Sequence, residues 1–351
     1  MRNFLLPFSW LYGLAVTVRN LAYDKGWFRQ ETAGVPVVSV GNITAGGTGK
    51  TPLVEYLVRH LVASGKHPAI LSRGYRRRSR GVVVVSDGKT MRSDAAMGGD
   101  EPVQMARKLA TVPVVVAERR IAAARVAVRD FHADVLVLDD GFQHRSLKRD
   151  LNILIMDSRR NLVREPLLPV GLRREPLAAV RRANIVVLSK IDPSTGTVPW
   201  LDSLAGRLPG PPVLSRTVPA GIYRFADHED VGVSMLLEDP VLAFSGIADH
   251  AGFIKSLQEL GVSIADDLRF RDHHAYDRGD MARLGEALRA SGAALFVTTE
   301  KDAVRIESEP EMKQLLLGAA PVYVARVEVE IIEGEERLRA AVDACVAGGR
   351  Q

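Results

Sequence analysis

Short β-branched apolar runs alternate with longer helical-period segments through most of this chain. Residues 37–40, 69–72, 82–85, 112–117, 134–140, 151–156 and 184–188 each read as a strand, several apolar enough to be buried on both faces. Between the first two lies PLVEYLVRHLVASG, whose apolar residues recur three and four apart and predict a helix. Strands alternating with helices predict an α/β fold with a doubly wound, mostly parallel sheet. A Pro/Gly-rich stretch at 199–212 then suggests a connection near 210–235. Beyond it, 241–246, 294–299 and 321–325 read as strands, with helical patterns over 251–260 and 280–291. The expected organisation is an N-terminal helix in 1–30, a main α/β unit in 31–220 and a smaller α/β unit in 221–351 that contributes to a shared cleft.

The N-terminal pattern is of another kind. Residues 4–18, FLLPFSWLYGLAVTV, carry no charge, and Arg2 and Arg19 bracket them. The run falls short of the roughly 20 residues that a spanning helix needs. No A-x-A-like cleavage site follows cleanly, which argues against a secretory signal. With Phe8, Trp10 and Tyr12 inside it, the segment is expected to form a hydrophobic helix lying in a membrane interface. A helix packed on the protein's own core is the alternative.

The first strand leads into chemistry. VPVVSVGNITAGGTGKT (35–51) runs from a valine strand through Gly46, Gly47, Thr48 and Gly49 to Lys50 and Thr51, and a helix follows. This is the order of a phosphate-binding loop: glycines let backbone N–H groups curl around phosphate oxygens, lysine supplies a mobile charge, and threonine can ligate Mg²⁺. The strict G-x-x-x-x-G-K-[ST] pattern wants glycine where this chain has Thr44.

Composition narrows the reading. Hydrophobic residues make up 46% of the 351 and charged residues 25%, which suits an ordered globular protein. The single cysteine, Cys345, excludes a disulfide framework and a thiolate metal cluster, and suits a reducing compartment. The net charge of +5 includes arginines clustered at 73–80, 159–160 and 173–174. Such clusters suit phosphates on nucleotides, nucleic acid or lipid headgroups, or simply form a solvated basic surface.

Other candidates sit around the loop. ADVLVLDDG (133–141) is an apolar strand ending in Asp139 and Asp140, where open α/β sheets collect ligands and phosphate-loop proteins hold Mg²⁺. Asp100, in GGDEP, stands either as a helix N-cap or as a catalytic carboxylate. SKID (189–192) resembles the guanine-reading element of GTPases, which makes Asp192 a candidate base reader. The adjacent His273 and His274 point different ways on a regular backbone, so one metal could not easily use both, but beside Asp272 they are acid–base candidates.

Taken together, VGNITAGGTGKTP (40–52), LSRGYRR (71–77), GDEP (99–102), LDDGFQH (138–144), LLPVGLRREP (167–176), SKID, FRDHHAY (270–276) and TTEKDAVRI (298–306) resemble the tetraacyldisaccharide 4'-kinases of lipid A biosynthesis, in order and over nearly the whole chain. Thr44 belongs to that family's version of the loop. The resemblance implies an enzyme that moves the ATP γ-phosphate, with Mg²⁺, to the 4'-hydroxyl of a tetraacylated glucosamine disaccharide 1-phosphate, giving lipid IVA. It implies work at the cytoplasmic face of the bacterial inner membrane, on a lipid rather than on nucleic acid. Carried over by position, Lys50 would hold the β/γ-phosphates, and Thr51, Asp139 and Asp140 the metal. Asp100 would be the general base, assisted by His273 or, with a one-residue shift, by His274. Arg73, Tyr75, Glu101, Gln143, Arg174 (or Arg173) and Glu175 would surround the substrate. The rival reading is a nucleotide switch of the SIMIBI type.

Overall fold

The computed structural model of the protein describes residues 2–193 and 198–348. After α1 (Leu6–Asp24), the chain forms β1 (Val37–Gly41), α2 (Lys50–Ala63), β2 (Pro68–Ser72), β3 (Val83–Asp87), α3 (Ala95–Gly98), α4 (Asp100–Lys108), β4 (Pro113–Val116), α5 (Arg120–Phe131) and β5 (Val135–Leu138). β6 (Leu151–Asp157), β7 (Ile185–Ser189), β8 (Val213–Arg224) and β9 (Asp230–Val231) come next. The last run is β10 (Val241–Ser245), α6 (His250–Glu259), β11 (Ile264–Arg269), α7 (Arg278–Ser291), β12 (Leu295–Thr299), α8 (Glu300–Glu307), α9 (Pro310–Ala319), β13 (Val322–Glu333) and α10 (Glu335–Gly348).

These strands form one 13-stranded sheet in the order β11-β10-β12-β13-β8-β7-β6-β1-β5-β2-β4-β3, with β9 on β8. Pairing is parallel except for β3/β4, β8/β13 and β8/β9, so the expected doubly wound, mostly parallel α/β sheet is present. β1, β2, β5 and β7 are buried along their whole length, which is why they read as near-continuous apolar runs. Around β1 the strand order reverses: β5 and β2 lie on one side, β6 and β7 on the other. A crevice opens at the carboxyl ends of strands at such a switch point.

The junction expected at 220/221 falls inside β8, at Gly221, opposite a bulge at Arg326 on β13. Two long antiparallel strands, rather than a loop, connect the two ends of the sheet. Nor does the 221–351 segment keep to itself. α10 returns to the first end, where Leu338, Val342 and Val346 join a core with Leu53, Leu57 and Ile153. The other end has its own core, built on Phe244, Phe270, Tyr276 and Phe296. A buried ionic cluster joins α2, α4 and α8: the Lys108 ammonium on α4 lies 2.9 Å from Glu55 and 3.0 Å from Glu300, and donates to the Val327 carbonyl at 2.7 Å.

α1 docks through its small and polar residues. Ser9, Gly13, Val16 and Ala22 are buried; Ser9 Oγ donates to the Leu167 carbonyl and Tyr12 to that of Arg174, both at 2.9 Å. A Cβ on Gly13 would come within 2.7 Å of Leu167 Cδ1, so glycine lets the helix approach this close without displacing that side chain. Its large residues point out: Phe8, Trp10, Leu11, Leu14, Val18 and Leu21 are all exposed. No helix among the described residues is long and apolar enough to cross a membrane.

Candidate active site

A cleft of about 1650 Å³ opens at the carboxyl ends of β1, β2, β5 and β7 and is closed on its far side by residues from β10 onward. On the donor side, β1 ends at Gly41 and the loop turns through Gly46 (φ 102°) and Gly49 (φ 83°), conformations that glycine adopts without strain. Gly49 delivers the chain into α2, so Lys50 and Thr51 stand in its first turn, where the helix dipole favours anions. Asn42 donates to Thr48 Oγ1 at 2.9 Å and stiffens the turn. Gly46, Gly47, Thr48, Gly49, Lys50 and Thr51 all line the cleft. Thr44, expected among the nucleotide contacts, is buried behind the loop and bridges Arg173 in antiparallel fashion.

SKID takes a place of its own. Ser189 Oγ donates to the Thr48 carbonyl at 2.7 Å and Lys190 Nζ to the Gly47 carbonyl at 2.8 Å, so the motif braces the phosphate loop from β7. Lys190 also lies 2.6 Å from Asp249, the N-cap of α6, and so ties the loop to the far wall. Asp192 lines the cleft 3.5 Å from Lys255.

The acidic pair sits at the tip of β5. Asp140 Oδ1 is 3.4 Å from Lys50 Nζ, and Arg174 Nη1 donates to its Oδ2 at 2.8 Å. Against the desolvation of burial, Lys50 and Arg174 hold the Asp140 carboxyl below its ordinary range. Asp139 is buried more deeply. Ser72 donates to its Oδ2 at 3.1 Å, while Oδ1 is buried with no hydrogen-bond partner. Burial, with Glu101 and Asp140 close by, pushes Asp139 up to about 7. An orphaned buried carboxylate oxygen on a cleft that Lys50 and Thr51 also line fits a divalent cation. Mg²⁺ is commonly held by one or two carboxylates plus substrate phosphates, and Asp139 with Asp140 is a donor set of that kind.

The acceptor side is assembled from distant parts. Asp100 is the first residue of α4, behind Gly99 at the N-cap; its side chain does not cap the helix but reaches the second half of the chain. His273 Nδ1 lies 3.0 Å from Asp100 Oδ2, and Arg305 Nε donates to the same oxygen at 2.7 Å. Against the desolvation of burial, those two partners hold the Asp100 carboxyl well below the usual carboxylate range. His273 lines the cleft, with Tyr75 edge-on to its ring at 5.4 Å. His274 points away, 2.7 Å from Asp280 in the first turn of α7, so the two adjacent imidazoles part and His273 is the one at the cleft. Glu101 pairs with Lys301 on α8, which holds it below its ordinary range against burial.

The remaining candidates divide. Arg73, Tyr75, Glu101, Gln143 and Arg174 line the cleft. Between the two neighbouring arginines, Arg174 faces Asp140 while Arg173 bridges Thr44. Glu175, expected around the substrate, is fully buried; Arg182 donates to both its oxygens, and Gln143 and Asn20 to one each. It anchors α1 and has no oxygen left for a ligand. Lys301 and Arg305, which no role in the sequence reading covered, lie within TTEKDAVRI; that motif was the available signal, but nothing in its spacing shows which residues turn inward.

A family model for tetraacyldisaccharide-1-P 4'-kinase matches residues 1–347. The tetraacyldisaccharide 4'-kinase of Chlorobium luteolum is 38% identical over 353 residues, covering 98% of each chain. That of Anaeromyxobacter sp. strain Fw109-5 is 40% identical over 350 residues, covering 98% of this chain and 92% of the relative. The crystal structure of LpxK from Aquifex aeolicus in complex with ATP matches at a TM-score of 0.78 and 33% identity, over 98% of this chain and 99% of that one. Likeness of this extent in sequence and fold, over a cleft with these motifs at its walls, means that the chain belongs to the tetraacyldisaccharide 4'-kinase family.

Proposed function

We propose that this protein is an ATP-dependent kinase that phosphorylates the 4'-hydroxyl of a tetraacylated glucosamine disaccharide 1-phosphate, the step that gives lipid IVA. The observation that carries the reading is a single cleft with a glycine phosphate loop on one wall and the Asp100–His273 pair on the other. Lys50 neutralises the β/γ-phosphates, and the N–H groups of the loop hold the phosphate chain in line. Thr51, Asp139 and Asp140 would hold Mg²⁺, which would supply charge neutralisation at the phosphates. The Asp100–His273 pair orients the sugar hydroxyl and takes its proton as the new O–P bond to the γ-phosphorus forms and the bond to the β–γ bridging oxygen breaks, releasing ADP, a role worth about 10²–10⁴-fold. Arg73, Tyr75 and Arg174 contact the disaccharide or its phosphates.

The exposed apolar face of α1 supports a further part of the reading. A helix that docks by Ser9 and Gly13 and turns Trp10 and Leu14 outward suits the interface of an anionic membrane, where its substrate resides. The site of action is then the cytoplasmic face of the inner membrane, with the protein attached peripherally. The test is transfer of label from [γ-³²P]ATP to the disaccharide 1-phosphate lipid in mixed micelles. Label in the lipid fraction is expected. Rapid acceptor-independent hydrolysis, above all of GTP, with no lipid labelling would overturn the reading in favour of a nucleotide switch.

A further inference from the structure

We infer that Arg305 is the positioning residue of the acceptor side: its guanidinium locks Asp100 in place and thereby fixes the orientation of His273 at the cleft. The inference rests on the kinase reading above. Arg305 stands on α8 with only 9% of its side chain exposed, and its donors spread over three elements. Nε donates to Asp100 Oδ2 at 2.7 Å on α4; Nη1 donates to the Gly246 carbonyl at 2.8 Å after β10 and to Asp302 Oδ1 at 2.9 Å on α8. The same Gly246 carbonyl accepts from the His273 backbone N–H at 3.0 Å. One planar fork therefore sets both the carboxylate and the loop that carries the imidazole, a task to which a lysine point charge is unsuited.

The hydrogen bonds also fix a tautomer. His273 Nδ1 lies 3.0 Å from Asp100 Oδ2 and 3.3 Å from Arg305 Nη2, and one ring nitrogen cannot donate to the first while accepting from the second. With Asp100 held as an anion, Nδ1 carries the proton and donates to it. Nε2, for which no partner exists among the described residues, is left as the ring's accepting atom on the cleft wall. Remove Arg305 and Asp100 keeps its His273 hydrogen bond but loses the guanidinium that aims it and helps to keep it ionised.

Other groups around the pair are accounted for. From the β2–β3 loop, Arg76 Nη1 donates to the His273 carbonyl at 2.8 Å and Tyr75 packs on the ring. Glu101, next to Asp100, is paired with Lys301, and Asp302 is held by Tyr276, Thr299 and Arg305 itself. Arg305 is thus, among the described residues, the cation in contact with Asp100, beside the hydrogen-bonded His273 ring, and its loss raises the pH at which that carboxyl protonates.

The experiment compares the parent with Arg305→Met and Arg305→Lys in the lipid-kinase assay across pH, with ATP affinity by calorimetry and the Asp100 carboxyl followed by ¹³C NMR. For Arg305→Met the expectation is a kcat about 10²-fold lower, an ATP Kd within about twofold of the parent's, and an Asp100 titration and acid limb of kcat/KM both moved to higher pH. Arg305→Lys should bring the acid limb back toward the parent's while recovering only part of kcat, because it restores charge without the fork. An Arg305→Met enzyme with near-parent kcat and an unmoved Asp100 titration would overturn the inference. So would equal loss of ATP binding and kcat in both variants, which marks a residue needed only for folding. The NMR titration needs no turnover, so it judges Arg305 separately from the kinase reading, which falls only if the parent itself labels no lipid.

Discussion

The two walls of the cleft are built in opposite ways. On the donor wall the glycines, Lys50 and Thr51 follow one another directly, and a single strand-to-helix turn sets their geometry. On the acceptor wall Asp100 meets His273 across 173 residues and Arg305 across 205. Local backbone geometry therefore suffices for the first wall. The second exists only while α4 stays packed on α8, through Lys108 between Glu55 and Glu300 and through Arg107 with Glu307. A phosphate loop can be borrowed by many chemistries; what makes this cleft a kinase for a sugar hydroxyl is the wall assembled at long range.

The largest effect should come from the local wall. Lys50→Ala is expected to lower kcat/KM by about 10³-fold, as loss of a phosphate-neutralising donor does, with a weaker ATP Kd; steady-state kinetics within tenfold of the parent would break the contrast. Asp100→Asn should lower kcat by about 10²-fold or more and leave the ATP Kd near the parent's, because it removes only the distant wall. If calorimetry found ATP binding lost as well, the walls would not be separable.

The neighbouring histidines sharpen the same point. His273→Ala should cost about 10²-fold in kcat. His274→Ala should leave kcat nearly unchanged and lower stability by about 1 kcal/mol, since its partner Asp280 is local and its ring stacks on Phe270. Equal kinetic losses in the two variants would contradict the assignment of His273 to the cleft.

Membrane attachment predicts a change in partitioning rather than in chemistry. Trp10→Glu with Leu14→Glu should release the protein from anionic vesicles in a flotation assay while leaving turnover on detergent-solubilised lipid close to normal. Unchanged flotation would remove α1 from that role. The effect furthest from turnover concerns the buried Lys108 cluster and shows only in stability. Burial, against the pull of Lys108, pushes Glu55 up to about 7 from an ordinary 4.5. A carboxyl raised in the folded state contributes stability that is complete below about 4.5 and lost as pH rises through about 7. Glu55→Gln should therefore lose less stability than the parent between pH 5 and 8, by about 2 kcal/mol in urea unfolding; parallel pH profiles would show that Glu55 does not titrate in this window.

Much of this was legible from the residue order. Valine strands, the glycine loop and the Asp139–Asp140 tip each occupy a few consecutive positions, and short-range geometry obliges Gly46–Gly47–Thr48–Gly49 to turn and Lys50 to open a helix. The pattern of Trp10 and Leu14 likewise announced an apolar helix. What it could not convey was which residues turn inward once distant elements pack. Asp100 reads equally well as a helix cap until α8 supplies Arg305, and Glu175 reads as a ligand group until Arg182, Gln143 and Asn20 take up its oxygens. The junction near residue 220 looked like a linker because Pro and Gly punctuate it, yet β8 and β13 carry the sheet straight through. Periodicity and turn chemistry act over a handful of neighbours and are written in the chain; the partner of a buried charge is chosen by packing over the whole fold, and only the fold contains it.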